Sequence, residues 1–182
     1  TFGSRIFANN MPTEDALIVK HIVGAGAVTL GKTNTPEWGA GSQTFNEVFG
    51  ATLNPWDTSK TCGGSSGGAA VALASRMVPI ADGSDLGGSL RNPANFCNVV
   101  GFRTSAGTVP NPSPNGYFSL PILGPMARNV GDCALLLDAI SPTVARLPLS
   151  HPSAEFHTHL QRDFKGVRIA LCTDFLGQIP VD

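Results

Sequence analysis

The chain has 182 residues, a formal net charge of −1, 42% hydrophobic residues and 14% charged residues. That is enough apolar material for one domain with a core, and it excludes a disordered chain. Scattered basic residues offer nothing to nucleic acid or to an anionic membrane, and no apolar stretch is long enough to span a bilayer.

The elements follow in chain order. Thr13, Glu14 and Asp15 open a helix over 14–25, with Ala16, Val19, Ile22 and Val23 at helical spacing until Gly24 and Gly26. Residues 27–30 are short, partly β-branched and bounded by glycines, which predicts a buried strand. Residues 32–62 read mostly as loop. A helix is expected over 69–76, a strand over 77–81 and a helix from Ser89 to Phe96. Residues 103–127 hold Pro110, Pro112, Pro114, Pro121 and Pro125 and read as a long connection of the kind that covers a site. A helix over 130–140 follows, then an irregular stretch over 141–163, then a strand over 167–171. Strands alternating with helices predict an α/β domain around a largely buried sheet.

The 21 glycines and 14 prolines favour a loop-rich enzyme over a helical bundle. Residues 1–5 carry no signal-peptide pattern. Cys62, Cys97, Cys133 and Cys172 form no CxxC pair and have no histidine at metal-ligand spacing. They are expected to be reduced, mostly buried thiols of a cytoplasmic protein, with no metal site.

Three motifs compete for the chemistry. Gly26 to Thr33 fits the spacing of a phosphate-binding loop, but its four spacers read as an apolar strand and Pro36 follows closely, so nucleotide binding is set aside. Gly63-Gly64-Ser65-Ser66-Gly67-Gly68 contains a GxSxG match centred on Ser66, as in the nucleophile elbow of α/β-hydrolases. That reading needs a preceding strand, which 58–62 does not supply, and a histidine base from His151, His157 or His159. A plain glycine-serine turn before a helix is the alternative. In Asp85-Leu86-Gly87-Gly88-Ser89, two glycines before Ser89 let successive N–H groups converge on one point at a helix start. Such a point stabilises an oxyanion.

The second and third motifs together resemble the amidase signature family, with Ser65 and Ser89 24 residues apart. The likeness runs through GAGAVTLGKTNTPEW, NEVFGATLNPWD, CGGSSGGAAVALA, ADGSDLGGSLRNPANFCNVVGFRTSAGTVP and LPILGPMARNVGDCALLLDAI, and FKGVRIALCTDFLGQIPVD is similar to the segment that follows the signature region. The resemblance implies a mixed β-sheet core flanked by helices, incomplete in this chain. It divides the chain into a signature core over 1–140, an irregular connection over 141–163 and the start of a following segment over 164–182.

It also implies hydrolysis of a small carboxylic amide through a Ser-Ser-Lys triad, without a cofactor. Ser89 would be the nucleophile that becomes the acyl-ester, and Ser65, after a cis Gly64–Ser65 bond, the proton relay. The backbone N–H groups of Leu86, Gly87, Gly88 and Ser89 would form the oxyanion hole. Ser66 would orient the loop, and Asp85 with Arg91 would brace it by an ion pair. The family's lysine is expected before Thr1. Lys20 and Lys32 match no such segment and, with the histidines, read as surface or loop-support residues. The 182 residues alone are therefore expected to lack amidase activity, and their incomplete sheet to drive self-association into a homo-oligomer. Two alternatives stay open: one of the subunits of a tRNA-dependent amidotransferase, or a non-catalytic scaffold.

Overall fold

A computed structural model describes residues 1–172 and 177–178. Its α-helices among the described residues are α1 (Leu17–Gly24), α2 (Gly67–Ala74), α3 (Arg91–Cys97) and α4 (Val130–Ile140). Strands β1 (Phe45–Asn46) and β2 (Gly50–Ala51) form a small antiparallel pair. Strands β3 (Ile80–Asp85), β4 (Val100–Gly101) and β5 (Ile122–Ala127) form a sheet in the order β3-β5-β4. The α/β class is as expected, and within the described residues every strand pairing is antiparallel.

Sheet register sets up everything that follows. Asp85 at the end of β3 stands opposite Ile122, and Ile80 opposite Ala127, so β5 runs the full length of β3. The central strand β5 lies inside the 103–127 stretch expected to be connection. Pro125 argues against an inner strand because it cannot donate to a ladder. Here Gly124 to Ala127 are all buried, and the Pro125 carbonyl still accepts from the Phe102 N–H at 3.1 Å. Burial on both faces outweighs the lost donor.

The helix over 130–140 is as expected, with the Asn129 Oδ1 accepting from the Asp132 N–H at 2.8 Å as its cap. The helix over 14–25 begins later, at Leu17, with Ala16 as a cap that makes no side-chain bond. Glu14 instead pairs with Lys20 at 3.5 Å on the surface. The strand expected over 27–30 does not form, and Val28 and Leu30 stand 81% and 73% exposed. No strand forms over 167–171 either, where Ile169 and Leu171 are exposed. In both places apolar composition met no neighbour to bury it. The C-terminal part of FKGVRIALCTDFLGQIPVD, residues 173–176 and 179–182, lies outside the described residues.

Two apolar clusters hold the elements. One gathers Cys62, Ala69, Ala70, Leu73, Leu90, Ala94, Cys97, Ile122 and Met126, where α2 and α3 meet the sheet. The other joins Ile18 of α1, Val109 and Leu136, Leu137 and Ile140 of α4. As expected, three of the four cysteines are buried, and only Cys172 is exposed. Burial pushes the Cys97 and Cys133 thiols up to about 11 and raises Cys62 as well, so these three behave as small hydrophobes rather than nucleophiles.

Candidate active site

The two serine motifs lie against each other. Residues 62–70 are buried throughout, and their loop carries a cis Gly64–Ser65 peptide bond, as the resemblance implied. The Ser66 N–H donates to the Ser89 carbonyl at 3.2 Å, which joins the first loop to the second. The Thr44 hydroxyl donates to the Gly63 carbonyl at 2.8 Å from the far side. A Cβ at Gly64 would come within 2.9 Å of the Gln43 backbone, so only glycine lets the two backbones approach here. Ser65 is 4% exposed, and Ser89 is half-buried at the start of α3.

Ser66 has a bonded, structural place. Its Oγ accepts from the Ser84 N–H at 3.1 Å and donates to the Ser84 carbonyl at 3.3 Å, anchoring the loop to β3. This geometry speaks against an α/β-hydrolase nucleophile at Ser66, because the hydroxyl is engaged on both sides and 58–62 forms no strand of the required kind. The phosphate-binding reading of 26–33 fails too. No α-helix follows Thr33; the chain runs on through Asn34, Thr35 and Pro36 into a single 3-10 turn at Glu37–Gly39, so no α-helix N-terminus faces a phosphate there.

Asp85 is the hub of the second loop. Its side chain is fully buried and accepts from the Gly88 N–H at 2.8 Å and the Leu90 N–H at 3.2 Å. Arg91 donates from Nε at 3.0 Å and from Nη2 at 3.1 Å, a two-pronged form of the ion pair that the resemblance implied. Burial by itself raises the Asp85 carboxyl, but the Arg91 guanidinium and the Gly88 and Leu90 N–H groups outweigh it and hold the group down at about 2. The Gly88 N–H, expected in the oxyanion hole, is thus taken up by Asp85. Among the described residues the N–H groups of Leu86, Gly87 and Ser89 make no such bond, and Leu86 and Gly87 are exposed.

Sequence reasoning missed Arg103. Its Nη1 donates to Asp85 Oδ1 at 2.8 Å and also to the Asp85 carbonyl, and its Nη2 donates to the Leu120 carbonyl at 2.9 Å. The only signal was a lone cation in GFRTSAGTVP, within a stretch that already matched the resemblance. Two of the histidines are engaged elsewhere: His151 Nε2 is 2.8 Å from the Ala106 carbonyl, and His157 is bonded to Asp138. Among the described residues no group of three or more His, Cys, Asp or Glu could hold a metal ion, and no helix is long and apolar enough to cross a membrane.

A buried serine after a cis bond and a half-buried serine at a helix start behind two glycines, their loops joined by a backbone bond and braced at Asp85, make up the candidate site. The amidase family model matches residues 1–181, and the chain belongs to that family. It is 43% identical to a glutamyl-tRNA(Gln) amidotransferase subunit from Agathobacter rectalis over 97% of this chain and 36% of that protein. It is 42% identical to the corresponding protein from Methanosarcina barkeri, over 97% and 38%. Among solved structures it superposes on a 6-aminohexanoate cyclic dimer hydrolase with a TM-score of 0.75 and 38% identity, over 81% of this chain and 31% of that one. A bacterial aryl acylamidase gives a TM-score of 0.76 and 36% identity over 80% and 31%. The chain therefore spans about a third of the length of the relatives it matches.

Proposed function

We propose that the full-length protein hydrolyses a carboxylic amide through an acyl-serine at Ser89. The observation that supports it is the bond from the Ser66 N–H to the Ser89 carbonyl, which holds the Ser65 loop against the Ser89 loop. In the first half-reaction the Ser89 Oγ bonds to the amide carbon. Its proton passes to Ser65, which gives its own proton to a base, a lysine by the family resemblance. The developing oxyanion takes N–H donors from Leu86, Gly87 and Ser89. The C–N bond breaks as the leaving nitrogen receives a proton through Ser65. Water then attacks the acyl-ester, loses its proton by the same relay and frees the acid and Ser89.

Labelling of the full-length protein by a fluorophosphonate tests this reading. The adduct is expected on Ser89 and is lost in Ser89→Ala. Labelling that persists in Ser89→Ala, or sits on Ser66, overturns it.

A second reading, one of the subunits of a glutamyl-tRNA(Gln) amidotransferase, is supported by the relatives of that kind at 40–43% identity. On this reading purified protein releases little ammonia from glutamine until its partners are added. Amide turnover by the single purified polypeptide favours the hydrolase instead.

A further inference from the structure

The contact between Arg103 and the Asp85 carbonyl bears on the oxyanion hole, because that carbonyl shares a peptide unit with the Leu86 N–H. The unit is planar and trans, so its C=O and N–H point in opposite directions and fixing one fixes the other. Arg103 Nη1 donates to this unit at its carbonyl and, beside it, to the Asp85 side chain at Oδ1. The arginine is itself held on both sides. The preceding Phe102 N–H donates to the Pro125 carbonyl at 3.1 Å, and the following Thr104 hydroxyl donates to the Leu123 carbonyl at 3.1 Å, both on β5. Its side chain is 25% exposed and its two bonds to Asp85 are partly buried, which screens them less than bonds made in open water.

From these contacts we infer that Arg103 is a positioning residue for the reaction proposed above. It aims the Leu86 N–H at the oxyanion site, and its charge on the carbonyl polarises the peptide and makes that N–H a better donor. Arg91 does not share this role. It holds only the Asp85 carboxylate, at 3.0 and 3.1 Å, and none of its bonds reaches the Asp85–Leu86 peptide. Arg103 also ties this peptide to Leu120, near the end of the proline-rich connection before β5, so the placement of that segment and the aim of the donor are linked.

The inference rests on Ser89 being the nucleophile, and the test separates the two. Full-length protein is treated with a fluorophosphonate, whose phosphoryl oxygen occupies the oxyanion position as Ser89 attacks. Wild type, Ser89→Ala, Arg103→Ala and Arg103→Lys are compared for the rate constant of labelling at saturating reagent, the half-saturating concentration and the fraction finally labelled. Removing an oxyanion donor outright costs roughly 100- to 1,000-fold, so misaiming one is expected to slow labelling roughly 10- to 100-fold in Arg103→Ala. Half-saturation stays within about threefold, and Arg103→Lys, with its charge but a single reach, falls between Arg103→Ala and wild type. A role in folding alone predicts a smaller labelled fraction with an unchanged rate constant, and that result overturns the inference. Should Arg103→Ala fail to fold, Arg103→Lys decides: a wild-type rate constant overturns the inference and a slowed one supports it. Wild type that does not label at Ser89 overturns the nucleophile assignment itself, whatever the Arg103 variants do.

Discussion

The Oγ of Ser66 sits 2.7 Å from where a Cβ on Gly83 would stand. The serine that steadies the first loop thus leans on the strand that delivers the second, and β3 has room for it only because position 83 carries no side chain. The Leu90 Cδ2 lies at the same 2.7 Å from that point. Gly83→Ala must therefore push apart Ser66 and Leu90 together, at a cost of roughly 1–3 kcal/mol of stability. Its melting temperature is expected to fall, and an unchanged melt shows that the loop can yield there at no cost.

Ser66→Ala removes a hydroxyl that bonds both the N–H and the carbonyl of Ser84. Each bond contributes about 1 kcal/mol, so about 1–2 kcal/mol is expected to be lost. The adduct stays on Ser89 while its formation slows, because the loop that carries Ser65 is loosened. Mass spectrometry of the labelled peptide checks the position.

Leu90 is fully buried between α2, α3 and the sheet and follows Ser89 directly. Leu90→Ala is expected to destabilise by about 2–5 kcal/mol through the cavity it leaves. Leu90→Met, close in volume, should cost under about 1.5 kcal/mol. Urea midpoints of the two variants measure the difference.

Asp85 gives a signed pH dependence. Its carboxyl is held at about 2 in the folded protein against 3.8 for the free group, so it contributes stability that is complete above about pH 4–5. That contribution, about 2 kcal/mol, is lost as pH falls from about 4 through 2. The melting temperature of the wild type is expected to drop across this window. Asp85→Asn is expected to be less stable at pH 7, because Arg91 and Arg103 lose their counter-charge, and to show a shallower drop below pH 4.

Much of this site was legible in the sequence, because its parts are local. Two glycines before Ser89 and the GGSSGG run are each a few residues long, and local spacing is enough to suggest a bend and a helix start, while the Asp85–Arg91 brace came from the family resemblance. The helix over 130–140 was legible for the same reason, while its Asn129 cap was seen only in the structure. The strand at 122–127 was hidden by Pro121 and Pro125, which signal connection, and its assignment depends on β3 and β4 covering it from both sides. The segments 27–30 and 167–171 erred the other way, since apolar composition makes a strand only where a neighbour completes its hydrogen bonds.

What the sequence by itself determined is which candidate groups stand close along the chain: Ser65 and Ser89 with their glycines, and Asp85 with Arg91 a few residues on. Only the tertiary structure decided how those pieces are held. It took the Gly88 N–H for Asp85, bound Ser66 to Ser84 and brought Arg103 from 18 residues away onto the Asp85 carbonyl. The reason is physical: a bond between residues distant in the chain depends on the register of β3 with β5, and no local propensity encodes which carbonyl a guanidinium will find.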